Sequence, residues 1–201
     1  MNRAIKNTNA LILAAGISKR MPSLKAFLPY DEKTNFFEKI VNTYADWGCN
    51  EIVVVINQLF NDSMPSEMKL PPQLKFVLNE QLEFERFYSV KIGLQKMNDV
   101  DFCFIQNIDN PFITVDILDK IAENKNDQAY IIPTYNKLGG HPVLINRNNI
   151  NYIKSYPQNN ANLRDVLGEM PSRKVEMKDE SILININNTV EYEKYFTLIQ
   201  N

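Results

Sequence analysis

Apolar residues in this chain follow two patterns. Short unbroken runs, such as Leu11-Ile12-Leu13, Ile52-Val53-Val54-Val55-Ile56, Phe102-Cys103-Phe104-Ile105 and Val143-Leu144-Ile145, alternate with longer stretches in which apolar positions return every third or fourth residue. A run that is apolar on both sides of the pleat reads as a strand buried on both faces, the habit of a parallel sheet. The periodic stretches read as helices with one buried face. In Asn35–Trp47 that face is Phe36, Phe37, Ile40, Val41 and Tyr44, with Thr34 as the predicted cap and Gly48 as the stop. Helices are also predicted over Phe84–Met97, Val115–Glu123, Asn148–Tyr156, Leu163–Met170 and Val190–Ile199, and a weak one within Asn57–Leu70. Leu74–Leu78, Ala129–Pro133, an edge strand Lys174–Met177 and Ile182–Ile186 complete the predicted strands, and Gly139-Gly140-His141-Pro142 reads as a turn. Strands and helices alternate to the end without a break in composition. Residues 1–201 are therefore expected to form one α/β domain of the doubly wound kind.

Composition narrows the function classes. A formal net charge of −2 and the lack of a long Lys/Arg run argue against a nucleic-acid partner. Met1–Asn9 is polar and no apolar run is long enough to span a bilayer, so a cytoplasmic protein without a membrane partner is expected. Cys49 and Cys103 are too few for a disulfide framework and read as free, buried thiols.

Parallel sheets bind ligands beyond the carboxyl ends of their strands, and the chemistry-bearing residues gather at such places. After Leu13, the small residues Ala14, Ala15 and Gly16 allow close approach to the backbone, and Arg20 and Lys25 follow as cations. Backbone N–H groups, a guanidinium fork and an ammonium together suit a triphosphate. The plain alternative is a strand–loop junction with solvated charges. Asp109, just after Phe102–Ile105 and before Pro111, can hold Mg2+ against phosphate oxygens, or it can merely close a turn. His141, the single histidine, can touch substrate or act as an acid or base near neutral pH, or it can be structural. Asn185 and Asn187, two apart on a predicted strand end, can complete a Mg2+ shell or form an Asx turn. Arg164 can meet an anionic acceptor or stay solvated. The chain has no GxxxxGK(S/T) loop, no GxGxxG fingerprint and no GxSxG elbow.

Taken in order, these segments resemble the molybdenum-cofactor nucleotidyltransferases, and more closely their cytidylyltransferase branch. Leu13-Ala14-Ala15-Gly16-Ile17-Ser18-Lys19-Arg20-Met21-Pro22-Ser23-Leu24-Lys25 is similar to the family's LAAGxSxRMGxxK, with Pro22 in place of glycine. Leu28-Pro29 and Thr34-Asn35-Phe36-Phe37-Glu38 are similar to its LLP and helix-start segments, and Tyr88-Ser89-Val90-Lys91-Ile92-Gly93-Leu94 to its SSLxxGL segment. Asp109-Asn110-Pro111 looks like its DxP metal motif, Gly140-His141-Pro142-Val143-Leu144 like GHPVL, and Ala161-Asn162-Leu163-Arg164-Asp165-Val166-Leu167, less closely, like GARxVL. Asn185-Ile186-Asn187-Asn188-Thr189-Val190-Glu191-Tyr192 looks like the closing DIDTPEDY, with asparagines in place of two aspartates.

The resemblance implies a three-layer α/β/α Rossmann-like nucleotidyltransferase domain with a mostly parallel mixed sheet. It implies Mg2+-dependent transfer of NMP from an NTP to a phosphorylated acceptor, molybdopterin cofactor in the cytidylyltransferase branch. Leu13, Ala14, Ala15, Gly16, Ser18, Arg20, Lys25 and Ser89 would bind nucleotide. Arg20, Lys25 and Asp109 would serve transfer, Asp109 and Asn187 would hold Mg2+, and His141 and Arg164 would meet the acceptor. Ala15, where guanylyltransferase relatives more often carry glycine, favours CTP, while the closing asparagines keep GTP open. A sugar-phosphate or other small-phosphoester acceptor and a non-catalytic nucleotide-binding regulator are the competing readings. The oligomeric state is left between monomer and homodimer.

Overall fold

The computed structural model describes residues 7–17, 21 and 23–196 of the 201-residue chain. Its strands are β1 (Thr8–Leu13), β2 (Ile52–Ile56), β3 (Leu74–Leu78), β4 (Phe102–Asn107), β5 (Tyr130–Tyr135), β6 (Leu138–Gly139), β7 (Val143–Asn146) and β8 (Ser172–Glu176). They form one sheet in the order β3-β2-β1-β4-β7-β5-β6, with β8 added on β5. β3, β2, β1 and β4 run parallel to one another, β7 is antiparallel to β4 and β5, and β8 is parallel to β5. This is a mostly parallel mixed sheet of the doubly wound kind.

The unbroken apolar runs exist because both faces of the sheet are covered. Ala10 and Ile12 of β1 join one core with Ile52, Val54 and Phe104. That core lies under α1 (Phe36–Trp47), α2 (Gln58–Ser63) and α4 (Val115–Ala122). Leu11 and Leu13 join the other core with Val53, Val55 and Ile105. Here the cover is α3 (Glu85–Lys96), α5 (Arg147–Ser155) and α6 (Leu163–Gly168). Adjacent residues of one strand thus serve opposite layers, as a two-residue period requires. Gly93 of α3 lies so close to β1 that an added Cβ would stand 2.4 Å from Leu11 Cδ1. The last helix, α7 (Thr189–Phe196), packs Tyr192 and Phe196 against Leu28, Phe36 and Ile186 in a third, aromatic cluster. Both cysteines are free and buried, and burial pushes both thiols above their usual range. No helix among the described residues is long and apolar enough to cross a membrane.

Three local expectations change. The cap of α1 is Asn35, not Thr34: its side chain accepts from Glu38 N–H while the Glu38 carboxylate accepts from Asn35 N–H. Thr34 is taken up by the Asp31 carboxylate instead. Residues 136 and 137, both at positive φ, turn β5 back into β6, so Gly139 is paired in a strand rather than the first residue of the expected turn Gly139–Pro142. Ile182–Ile186 is not a strand. Glu180–Leu183 is a 3-10 turn and the following residues are extended but unladdered. Its alternating isoleucines are anchors: Ile182 and Ile186 are fully buried.

Candidate active site

β1 and β4 are in register, Leu13 opposite Asn107, so the loops that follow them leave the sheet side by side at its carboxyl end. The loop after β1 is tied down by backbone and side chain. Ala14 N–H donates to Val55 O at 2.8 Å, and the Asn57 amide donates to Ala15 O at 2.9 Å. The loop after β4 is tied by Ile108 N–H to Leu13 O at 3.2 Å and by the buried Gln106 amide to Asn107 O and Asn110 O.

Asn110 explains why residues 181–187 come here. Its side-chain amide donates to Ile184 O at 2.6 Å and Ser181 O at 3.2 Å, and Ile186 N–H donates to Asp109 O at 2.7 Å. Gly140 allows the same segment to lie against the turn before β7, since a Cβ there would stand 2.5 Å from Ile182 O. Backbone groups that a strand would pair along a ladder are satisfied by these contacts instead. The segment delivers Asn187, whose backbone N–H is fixed by the Glu191 carboxylate at 2.5 Å.

Lys25, Asp109 and Asn187 meet at this point. Lys25, at the start of a 3-10 turn, donates from Nζ to Asn187 Oδ1 at 2.9 Å and lies 3.6 Å from Asp109 Oδ2. Asp109 Oδ1 is buried with no hydrogen-bond partner among the described residues. The three come from parts of the chain up to 162 residues apart. Lys25 and Asp109 line a cavity of about 400 Å³ together with Leu13, Ala15, Gly16, Ser89, Asn107 and Arg86, and Asn187 stands behind them on Lys25.

The other expected residues divide. Leu13, Ala15, Gly16 and Ser89 line the cavity, and Ser89 Oγ accepts from the Asn79 amide at 2.9 Å. A Cβ on Gly16 would meet nothing within 4 Å, so the space beside this backbone is open. Ala14 does not line the cavity: it packs into the core beneath α1. Ser18 and Arg20 lie outside the described residues. Asn185 does not share a strand face with Asn187. Its amide donates to Leu183 O, and its Oδ1 is buried without a hydrogen-bond partner among the described residues. Arg164 is exposed on α6 and is not part of the cavity lining, because Val166 and Leu167 are the residues that α6 turns inward.

His141 sits behind the cavity rather than in its lining. Its Nε2 lies 2.9 Å from Asn107 Nδ2, and its Nδ1 is buried without a hydrogen-bond partner among the described residues. Burial, and then the charge of Arg86, push its pKa down to about 4, against a smaller opposing pull from Asp109. The imidazole is therefore neutral at physiological pH, so the expectation that it acts as an acid or base near neutrality does not hold. With Asn107 as donor, the ring proton belongs on Nδ1. Arg86, Asn79 and Asn107 are lining residues that the sequence reading passed over. Arg86 was within reach of it, since it stands three residues before Ser89 on the same helical face.

A model of the MobA-like NTP transferase domain matches residues 10–175. The chain belongs to this family. Among curated relatives it is 27% identical to the molybdenum cofactor cytidylyltransferase of Escherichia coli over 184 residues, 92% of this chain and 93% of that one. It is 25% identical to a probable molybdenum cofactor guanylyltransferase of Clostridium perfringens over 210 residues, 92% of this chain and 94% of that one. Among solved structures, Rv0371c of Mycobacterium tuberculosis superposes with a TM-score of 0.79 at 17% identity, covering 96% of this chain and 99% of that chain. A complex of Rv0371c with manganese superposes with a TM-score of 0.75. As a MobA-like NTP transferase the chain is a nucleotidyltransferase, and enzymes of this kind generally use a divalent metal. The family match covers both the loop after β1 and Asp109.

Proposed function

We propose that this protein is a single-domain, cytoplasmic enzyme that moves a nucleoside monophosphate from an NTP, CTP in preference to GTP, to a phosphorylated small acceptor, molybdopterin cofactor, and releases pyrophosphate. The observation that carries the proposal is the junction of Lys25, Asp109 and Asn187 at the carboxyl ends of β1 and β4, beside an open glycine loop, in a chain of this family. Both relatives named above are molybdenum-cofactor transferases, which supports that acceptor.

The reaction needs no protein nucleophile. An oxygen of the acceptor phosphate forms a bond to the α-phosphorus, the bond from that phosphorus to the bridging oxygen breaks, and pyrophosphate leaves with the electron pair. Such chemistry is positioning and charge stabilisation. Lys25 places a cation beside the triphosphate, with Arg20 as a second. Ala15 and Gly16 let the nucleotide lie against the backbone, and Ser89 meets it from α3. Asp109 and the Asn187 amide oxygen would hold Mg2+. Asp109 Oδ1, without a hydrogen-bond partner among the described residues, fits this, since Mg2+ is commonly bound by one or two carboxylates together with substrate phosphates. When bound, the ion offsets charge on the triphosphate. Ala15 lines the cavity, and a methyl group there in place of glycine would leave less space for a purine, which supports CTP over GTP.

The test is transfer itself. The purified chain is mixed with CTP or GTP, Mg2+ and molybdopterin, and both pyrophosphate and the nucleotidyl product are measured. The expected result is stoichiometric pyrophosphate and product, faster with CTP. Nucleotide binding without any pyrophosphate, across acceptors, would leave a regulator rather than an enzyme.

A further inference from the structure

Arg86 lines the cavity from the first turn of α3. Its guanidinium has no carboxylate partner among the described side chains, whereas Lys25 is opposed by Asp109 at 3.6 Å. Within the cavity lining, the uncompensated charge is therefore that of Arg86. Asn107 lines the same cavity, and its amide is held by His141 at 2.9 Å. Arg86 and Asn107 thus line one cavity, and the ring that holds the amide is kept neutral by burial first and by the charge of Arg86 second. A guanidinium facing a cavity without a counter-charge matches two oxygens of a phosphate at once, and the start of a helix adds favourable dipole there.

We propose that Arg86 binds the phosphate of the acceptor, with the Asn107 amide beside it, while Lys25 and Asp109 serve the nucleotide triphosphate. Two anionic substrates then have separate cationic partners. The assignment rests on the transferase reading in one respect, that the acceptor carries a phosphate. Arg86 would hold that phosphate by two oxygens and leave a third free to attack the α-phosphorus. His141, which touches neither substrate, is a positioning residue that fixes the rotamer of Asn107. Arg164, which the family resemblance suggests for the acceptor, is left to solvent on α6.

Arg86→Gln and Arg86→Lys in the full chain test this. Arg86 is solvent-exposed, so neither change empties a core position. Inorganic phosphate is titrated into each protein by calorimetry, and transfer is then measured with acceptor and NTP varied separately. Arg86→Gln is expected to weaken phosphate binding at least tenfold and to raise the acceptor KM at least tenfold, with the NTP KM within twofold of wild type. Arg86→Lys should recover part of both losses. Phosphate affinity unchanged by Arg86→Gln, a wild type that binds no phosphate at millimolar concentration, or an NTP KM that rises with the acceptor KM would each overturn the assignment. Phosphate binding that depends on Arg86 in a protein that transfers nothing would overturn the transferase reading and leave Arg86 as an anion-binding residue. Normal transfer with Arg86-independent phosphate binding would overturn Arg86 alone.

Discussion

The two cationic sides of the cavity are built on opposite principles. Lys25 is held by the protein: Asp109 and Asn187 engage its ammonium, and the loop that carries Asn187 is itself pinned by Asn110. Arg86 has no carboxylate partner among the described side chains. A lysine already engaged by a carboxylate and an amide is pre-oriented, and substrate can bind without ordering it first. An unopposed guanidinium is poorly ordered but electrostatically unsatisfied, so its stabilisation comes from a ligand that brings charge. The difference suggests a rigid nucleotide side and a side that becomes ordered as the acceptor arrives.

Each side can be broken separately. The largest effect is expected from Asp109→Asn, which removes the single carboxylate of the junction. Mg2+-dependent turnover should fall by about 10²–10³-fold while the protein stays folded. Stopped assays across Mg2+ concentrations check this, and a variant with normal metal dependence would reduce Asp109 to a turn residue. Lys25→Ala should lower kcat/KM for the NTP by roughly 10–100-fold. Equal NTP binding in the variant would remove Lys25 from the nucleotide side.

The neutral His141 predicts a pH effect on the other side. Its pKa is about 4 in the folded chain and that of a free histidine when unfolded, so the unfolded state takes up a proton first as pH falls. Stability should therefore be fully present above about pH 6.5 and decline towards pH 4, by about 1–3 kcal/mol from this group. Denaturant melts of wild type and His141→Gln across that range should diverge, and parallel curves would contradict the neutral ring. Ala15→Gly should narrow the CTP-over-GTP ratio by about tenfold, the worth of a methyl group in a pocket. Competition between the two nucleotides measures it, and a wild type that prefers GTP would sink the base assignment alone. Asn187→Ala should cost the least, about 2–10-fold in turnover, as a neutral hydrogen-bonding group does.

The layered fold was legible because burial on both faces writes itself into unbroken apolar runs: Ile52–Ile56 is buried at every position. Lys25 and Asp109 were legible because strand ends are where parallel sheets place ligands. Their meeting with Asn187 was not, since it depends on Asn110 capturing a segment more than 70 residues away. That capture also misled the reading of Ile182–Ile186, where an apolar alternation anchors a loop instead of pairing in a ladder. Arg164 sat in a familiar-looking motif, yet only packing decides which way a short helix faces. Arg86 stands one turn before Ser89 and so was within reach, but periodicity gives only the buried face of α3, not which strand ends its first turn overhangs.

The most direct measurement is a crystal structure with Mg2+ and a CTP analogue that cannot be cleaved between its α and β phosphates. The account predicts the triphosphate beside Lys25, a metal on Asp109, the base near Ala15 and Ser89, and Arg86 still free of the nucleotide. A triphosphate bound on Arg86 with Lys25 still engaged by Asp109 would contradict it.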